Sequence, residues 1–466
     1  MKSRLLNYCI LLVLCFIDTK ALAYDETPDF LSSLPFISTE NSEQAADRLQ
    51  LKGTDVEVNI NGSIAEVTVK QKFKNNCDQI IAGQYTFPAS ERALVHGMEM
   101  KTGENISTAK IKEQKRAQEE FDSFKEEGKN AILLKKEEPN QFSMDMANIM
   151  PGETVDVELS YTELLIPTDM RYQFVYPVAA GTGYSDQSEA DFNIKVNISA
   201  GIPIQELMCS SHETDIIIDN KSSAKVLLKD QEKKGNNRDY VLNYRLAEQK
   251  MPSGLILSGG EGEKYLLFNE YVGSPGLKDV SVRFTDLKTY DLEPSNIPDL
   301  SYRRPVTLLA KWQGEADGLI KVEGRMNRRN YSKTYRFVKN NTRNSNGALE
   351  HLWAGKRIER LSGLDTGNVD TDINSEITEL GLKHHVLTKN TSLLAYNDIV
   401  RKKVIPVEKD KEFLPSPEEE TELESIMIAK VPEPEFYILV LILTSVIVAC
   451  NSRGKVVKVF SRIRHR

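Results

Sequence analysis

Cysteine is scarce in this chain, and its placement leaves it little to do. Five occur in 466 residues: Cys9, Cys15, Cys77, Cys209 and Cys450. The first two fall in an apolar N-terminal leader and the last at the end of an apolar C-terminal run. That leaves Cys77 and Cys209 for the body, with no CxxC pair for zinc or redox work. A Cys77–Cys209 disulfide and two separate buried thiols both stay open, since geometry decides between them. Positive charge is also short. At a net −8 the chain lacks the basic surface that phosphate neutralisation requires, so no nucleic-acid partner is expected.

Signatures of chemistry are equally thin. No HExxH, P-loop, G-x-S-x-G or G-x-G-x-x-G pattern occurs, and Ser258-Gly259-Gly260-Glu261-Gly262 is a turn with no phosphate-binding helix behind it. Of the six histidines, only His384 and His385 are adjacent, with no neighbouring carboxylate or cysteine to complete a zinc site. On a strand they would point to opposite faces, one partly buried and one exposed. The stretch from Asp365 to Asp372 is rich in oxygen ligands but lacks the EF-hand layout, and an acidic loop capping a helix is the simpler reading. No catalytic residue, metal ligand or cofactor is expected, and the chain is read as a non-enzyme.

What is present begins at the two ends. Lys2 and Arg4 precede an apolar run from Leu5 to Ile17, and Ala21-Leu22-Ala23 supplies small residues at −3 and −1 for cleavage before Tyr24. Residues 1–23 therefore read as a secretory signal peptide, with an uncleaved anchor helix as the other reading. At the far end an acidic linker, 401–430, leads into Val431-Pro432-Glu433-Pro434, an apolar run from Phe436 to Cys450 and a basic tail ending at Arg466. As a helix that run spans about 22 Å, short of the roughly 30 Å hydrocarbon core, so insertion needs local thinning or part of the basic flank. Positive charge after the run predicts a cytoplasmic tail and an exported body.

The order of motif, helix and basic cluster over 431–466 resembles the PEP-CTERM sorting signal of bacterial surface proteins. The resemblance implies recognition of Val431, Pro432, Glu433 and Pro434 by an exosortase-like processing enzyme, with removal of the helix. A plain tail anchor is the other reading. Leu414-Pro415-Ser416-Pro417 lacks the Thr-Gly of a sortase LPxTG signal.

Between these ends the pattern is that of strands. Residues 24–50 look like a polar lead-in. Val56, Val58 and Ile60, then Ile64, Val67 and Val69, alternate on either side of Asn61-Gly62, a strong hairpin signal. A helix is expected from about Ser107 to Glu127, capped by Ser107 or Thr108, with Gly128 after its end. Ala117, Phe121 and Phe124 give it a narrow apolar stripe to lay on a sheet. Strands resume at Ala131–Leu134, Phe142–Ile149 and Thr154–Leu159.

Over residues 51–185 these elements resemble a VIT (vault protein inter-alpha-trypsin) domain. The resemblance rests on Gln71, Phe73 and Asn75, on Tyr85-Thr86-Phe87-Pro88, and on Lys112, Glu113, Ala117 and Phe121. It continues through Glu138-Pro139-Asn140-Gln141-Phe142 and Ala147-Asn148-Ile149-Met150-Pro151-Gly152-Glu153. It implies a β-rich module with one packed helix, in which these side chains serve the core.

In that family a von Willebrand factor A domain usually follows. Its metal-binding Asp-x-Ser-x-Ser loop is absent here; Asp219-Asn220-Lys221-Ser222-Ser223 has the wrong spacing. Ile297-Pro298-Asp299-Leu300, Arg304-Pro305-Val306 and Leu352-Trp353-Ala354 resemble the stretch that normally comes after the A domain, which places the lost insertion near 269–279. The heavy-chain Asp-Pro-His linkage site of inter-alpha-trypsin inhibitor is not matched either. The expected architecture is mainly β: the VIT module over 51–185, one β-sandwich over 186–345, a helix with closing strands over 346–400, and a single C-terminal membrane helix. The expected function is protein–protein contact or adhesion at the cell envelope or surface, with an unidentified protein or glycan partner. The alternative is a periplasmic accessory factor for exopolysaccharide or envelope biogenesis.

Overall fold

The computed structural model describes residues 36–39 and 49–400, except 169–170, 179–189, 235–237, 248–253, 259–261, 272–275, 301–304, 327–328, 338–346 and 364–370. All of these residues fall within a single compact unit. The cleavage site at Ala21, Ala23 and Tyr24, the motif Val431–Pro434 and the run from Phe436 to Cys450 lie outside the described residues. Most of the Asp365–Asp372 stretch does too. Among the described residues no helix is long and apolar enough to cross a membrane.

Chain order begins with β1 (Phe36–Thr39), β2 (Leu49–Asn61), β3 (Ile64–Asn75), β4 (Ile81–Pro88), β5 (Leu94–Thr102), β6 (Asn105–Thr108) and β7 (Lys110–Glu113). Helix α1 (Gln114–Glu126) precedes β8 (Lys129–Glu138), β9 (Gln141–Ile149), β10 (Thr154–Leu164) and β11 (Arg171–Tyr176). The expected hairpin is β2–β3, turning at Gly62, whose φ of 64° suits glycine. The expected helix starts later than its pattern implied. Ser107 and Thr108 lie in β6, not at a helix cap, because the Asn105–Thr108 segment pairs back onto β5 across the Gly103 turn. The end of α1 matches expectation, with Gly128 left-handed at φ 76°.

The strands expected to form one sandwich over 186–345 divide between two bodies. β12 (Asp191–Ser199), β13 (Ile204–Cys209), β14 (Thr214–Asn220), β15 (Ser223–Leu228) and β16 (Tyr240–Leu246) complete the first. There β12 runs parallel to β2, so the second sheet reads β14-β15-β12-β2-β3-β10-β5-β6. It faces the sheet β1-β4-β9-β8 and, toward its other end, β11-β16-β13, over one continuous core that holds Phe73, Phe142, Phe192 and Tyr240.

The second body is a sandwich of its own. β17 (Gly254–Leu257), β18 (Lys264–Tyr271), β19 (Lys278–Thr285), β20 (Lys288–Glu293), β21 (Pro305–Gln313), β22 (Gly318–Met326) and β23 (Arg329–Phe337) form the sheets β17-β18-β21-β20 and β19-β22-β23. Its core takes Leu266, Phe268, Leu308 and Ala310 from one face of β18 and β21. The opposite face supplies Tyr265, Leu267 and Leu309 to helix α2 (Ala348–Ser362). Burial on both faces explains why these two strands read as unbroken apolar runs instead of alternating.

Helix α3 (Thr371–Lys383) then leads to β24 (Thr391–Val400). β24 returns to the first body and inserts between β8 and β7, giving the full order β1-β4-β9-β8-β24-β7. Helix α1 covers the outer face of that sheet through Ala117 and Phe121 against Leu133, Ala147 and Leu394. The lead-in also contributes, since β1 pairs with β4 at the sheet edge.

Candidate functional site

The motif residues of the first body turn out to be its fasteners. Gln71 Nε2 donates to Tyr85 Oη at 3.2 Å, and the Tyr85 ring sits edge-on to Phe73 and stacks with Phe87, which stacks on Phe142. Burial pushes the Tyr85 hydroxyl up to about 12. Asn75 Nδ2 donates to the carbonyls of Ile149 (2.9 Å) and Gln79 (2.8 Å), and its Oδ1 accepts from the Cys77 amide. Asn148 stands at φ 55° and donates to the carbonyls of Lys125 (2.9 Å) and Lys129 (2.8 Å), tying the end of α1 to β8. Cys77 and Cys209 are free thiols, each half-buried against the main core, so the disulfide is not formed.

The densest polar chemistry lies where α2 and α3 meet both bodies. Glu293, 1% exposed, accepts from Arg360 Nε and Nη2 at 2.9 Å each, with Arg357 at 3.6 Å. Lys311 reaches Glu263 at 3.2 Å and Asp291 at 3.5 Å, and its ammonium sits 4.1 Å from the centre of the Trp353 ring. Trp353 Nε1 donates to the Asp291 carbonyl at 2.7 Å. Glu263 also binds Lys383 and accepts from Tyr265 Oη, and these partners hold its carboxyl down at about 2 against the effect of burial.

The histidines gather at the same junction. His384 and His385 follow α3 in a turn, not on a strand, because α3 continues to Lys383; the expected split into one buried and one exposed ring still holds. His384 Nδ1 lies 2.8 Å from Glu350 Oε1, a carboxylate that sequence proximity could not supply, since it comes from α2. His96 of β5 stacks on His351 of α2 at 4.0 Å. Burial holds these two rings down, His96 at about 4 and His351 at about 3. Among the described residues no group of three or more His, Cys, Asp or Glu is placed to hold a metal ion.

A cleft of about 560 Å³ opens between α2 and the first body. Its walls are aliphatic: Leu94, Leu164 and Ile166 from the β side, Leu352 and Ile358 from α2, and Val386. Gly355 brings the helix this close to β5, since a Cβ there would sit 2.4 Å from Leu94 Cδ1. The rim alternates charge, with Arg92, Lys136 and Lys356 against Glu91, Glu138 and Glu359. Arg92 is held 3.3 Å from buried Glu163, whose carboxyl is pushed up by burial.

A second surface of note is the β14 edge. Ile216, Ile217 and Ile218 are 39%, 47% and 59% exposed. β14 pairs only with β15, so its other edge of backbone donors and acceptors is open among the described strands.

Residues 51–161 match the family model described as the vault protein inter-alpha-trypsin domain. The chain carries a VIT domain. A von Willebrand factor A domain-containing protein of Dictyostelium discoideum is 23% identical over 221 residues, covering 46% of this chain and 24% of that protein. Von Willebrand factor A domain-containing protein 5A of Rattus norvegicus is 23% identical over 242 residues, 47% of this chain and 29% of the relative. Protein mono-ADP-ribosyltransferase PARP4 of Homo sapiens is 28% identical over 140 residues, 28% of this chain and only 8% of that protein. The chain thus spans under a third of the length of each. A solved structure from Legionella pneumophila superposes with a TM-score of 0.31 at 11% identity, over 46% of this chain and 70% of that one, too slight a likeness to argue from. The VIT match stops short of the structural body, because β12, β15 and β24 complete its sheets from beyond residue 161.

Proposed function

We propose that this chain is an exported, envelope-bound VIT protein that makes protein–protein contacts and performs no catalysis. The observation that carries the contact role is the β14 edge, where three consecutive isoleucines stand exposed beside open backbone groups. Such an edge invites strand addition by a partner, and natural proteins otherwise blunt it. Export rests on the leader ending at Ala23. Anchoring rests on the apolar run Phe436–Cys450, with Val431–Pro434 as the site of exosortase-type processing.

The loss of the A domain belongs to the same reading. β18 and β19 flank the proposed insertion point and lie in opposite sheets of the second body, so the chain already crosses between layers there. A domain inserted at such a crossing can depart without breaking a ladder.

Two measurements test the proposal. Mass spectrometry of the mature protein from membranes should find a start at Tyr24 and no peptide beyond Pro434; a chain running from Met1 to Arg466 refutes processing at both ends. A photo-crosslinking residue in place of Ile217 should capture a protein on intact cells, whereas the same probe at exposed Lys101 should not. Equal yields at both positions would defeat the contact role of β14.

A further inference from the structure

The cleft between α2 and the first body has a feature that core packing does not explain. On β8 the inward-facing positions run Ile132, Leu134, Lys136: two core residues, then a lysine. Its stem lies along the core edge, its ammonium stands 5.7 Å from the centre of the Phe142 ring, and the residue lines the cleft. Burial favours its neutral form. The other cations of the rim are engaged: Arg92 with Glu163 and Lys356 with Glu359 at 2.6 Å, while Lys389 also has a partner. Lys136 makes no ion pair among the described residues. Glu91 is the carboxylate that acts on it, from beyond ion-pair distance.

We propose that this cleft binds a single-chain aliphatic carboxylate, such as a free fatty acid, with its headgroup on Lys136 and its chain along the walls formed by Leu94, Leu164, Ile166, Leu352 and Ile358. Three points favour this occupant. The cavity volume lies within the range of about 300–1,000 Å³ typical of small-ligand sites. Its walls offer aliphatic side chains and few hydrogen-bonding groups, which suits an acyl chain. A peptide would bury amide groups there without partners. A carboxylate would also give the desolvated ammonium the counter-charge it lacks, through a charge-assisted hydrogen bond. A neutral ester such as an acylglycerol carries no anion and would gain no charge pairing from Lys136.

The experiment is calorimetric titration of the full chain with dodecanoate, dodecanol, dodecylamine and a leucine tripeptide with a free C-terminus. Dodecanoate should bind at least about tenfold more tightly than the other three. Lys136→Met should bring dodecanoate down to the affinity of dodecanol and leave dodecanol unchanged. Ile358→Trp, on the half-buried wall of α2, should abolish dodecanoate binding with the far-UV circular dichroism preserved. Glu91→Gln should tighten it. Four outcomes overturn the proposal: no binding of dodecanoate, alcohol or amine bound as tightly, the tripeptide preferred, or Lys136→Met without effect on a folded protein.

Discussion

Asn148 shows how much one side chain settles in the first body. Its left-handed backbone costs an ordinary residue about 1–2 kcal/mol, and its amide holds two carbonyls at the junction of α1 and β8. Asn148→Ala should destabilise by about 2–4 kcal/mol, the strain adding to the lost hydrogen bonds. Asn148→Gly should recover the strain and lose only the bonds. Urea midpoints decide it: equal losses in the two variants would mean that the φ angle carries no cost. The stacked pair His96–His351 makes a prediction of opposite origin. Both rings are held below their unfolded value of about 6.5, so the unfolded chain binds protons that the folded one refuses. Stability is therefore full above pH 6.5 and falls as pH drops toward 4 and then 3, by up to about 1.4 kcal/mol per unit for each ring. A His96→Phe/His351→Phe variant keeps a stacked pair and should show a shallower fall of melting temperature between pH 7 and 4.5; an unchanged slope would exonerate the histidines.

At the scale of elements, β24 is the strand that no local pattern could place. It pairs with β8 and β7, roughly 260 to 280 residues earlier in sequence, and its Leu393 and Ala395 enter the main core while Leu394 meets α1. A chain ended after Lys389 should leave β7 unpaired and β8 held by β9 alone, and hydrogen exchange in β8 should accelerate to the rate of an edge strand. A chain ended after Val400 should protect β8 fully. If both protect it equally, β24 is dispensable. The contrast marks what the sequence could convey. The β2–β3 hairpin, the apolar stripe of α1 and the helix at Ala348 were legible because each is written in residues a few positions apart. The resemblance named the right fasteners, Gln71, Asn75 and Asn148, but not their roles, which depend on partners brought together by the fold. The sandwich expected over 186–345 split because alternation in β12 and β15 reveals a buried face without revealing which sheet buries it. The cleft left only one trace, a lysine in step with Ile132 and Leu134, and a charge run hid it.

For the whole molecule, the question is whether two β bodies unfold as one. Their coupling passes through α2, which packs Leu352 and Trp353 against both Leu164 of the first body and Tyr265 and Leu309 of the second. Around this apolar contact stand the ion pairs of Glu293 and Lys311, largely withdrawn from water on one side. Removing one partner of a buried carboxylate is costly because the charge is left behind, about 3–5 kcal/mol at full burial. Arg360 is partly exposed and Arg357 stays nearby, so Arg360→Ala should cost less than that range, while Glu293→Gln removes the charge itself and should cost less again. The chain's two tryptophans make the coupling measurable, with Trp353 in the helical junction and Trp312 in the core of the second body. In the wild type, tryptophan fluorescence and far-UV circular dichroism should trace one urea transition, as a coupled unit requires. In Arg360→Ala the fluorescence transition should move to lower urea ahead of the dichroism, because the junction loosens before the sheets do. Coincident curves in both proteins would mean that the bodies are joined by the apolar contact alone and that the arginine–glutamate cluster merely decorates it.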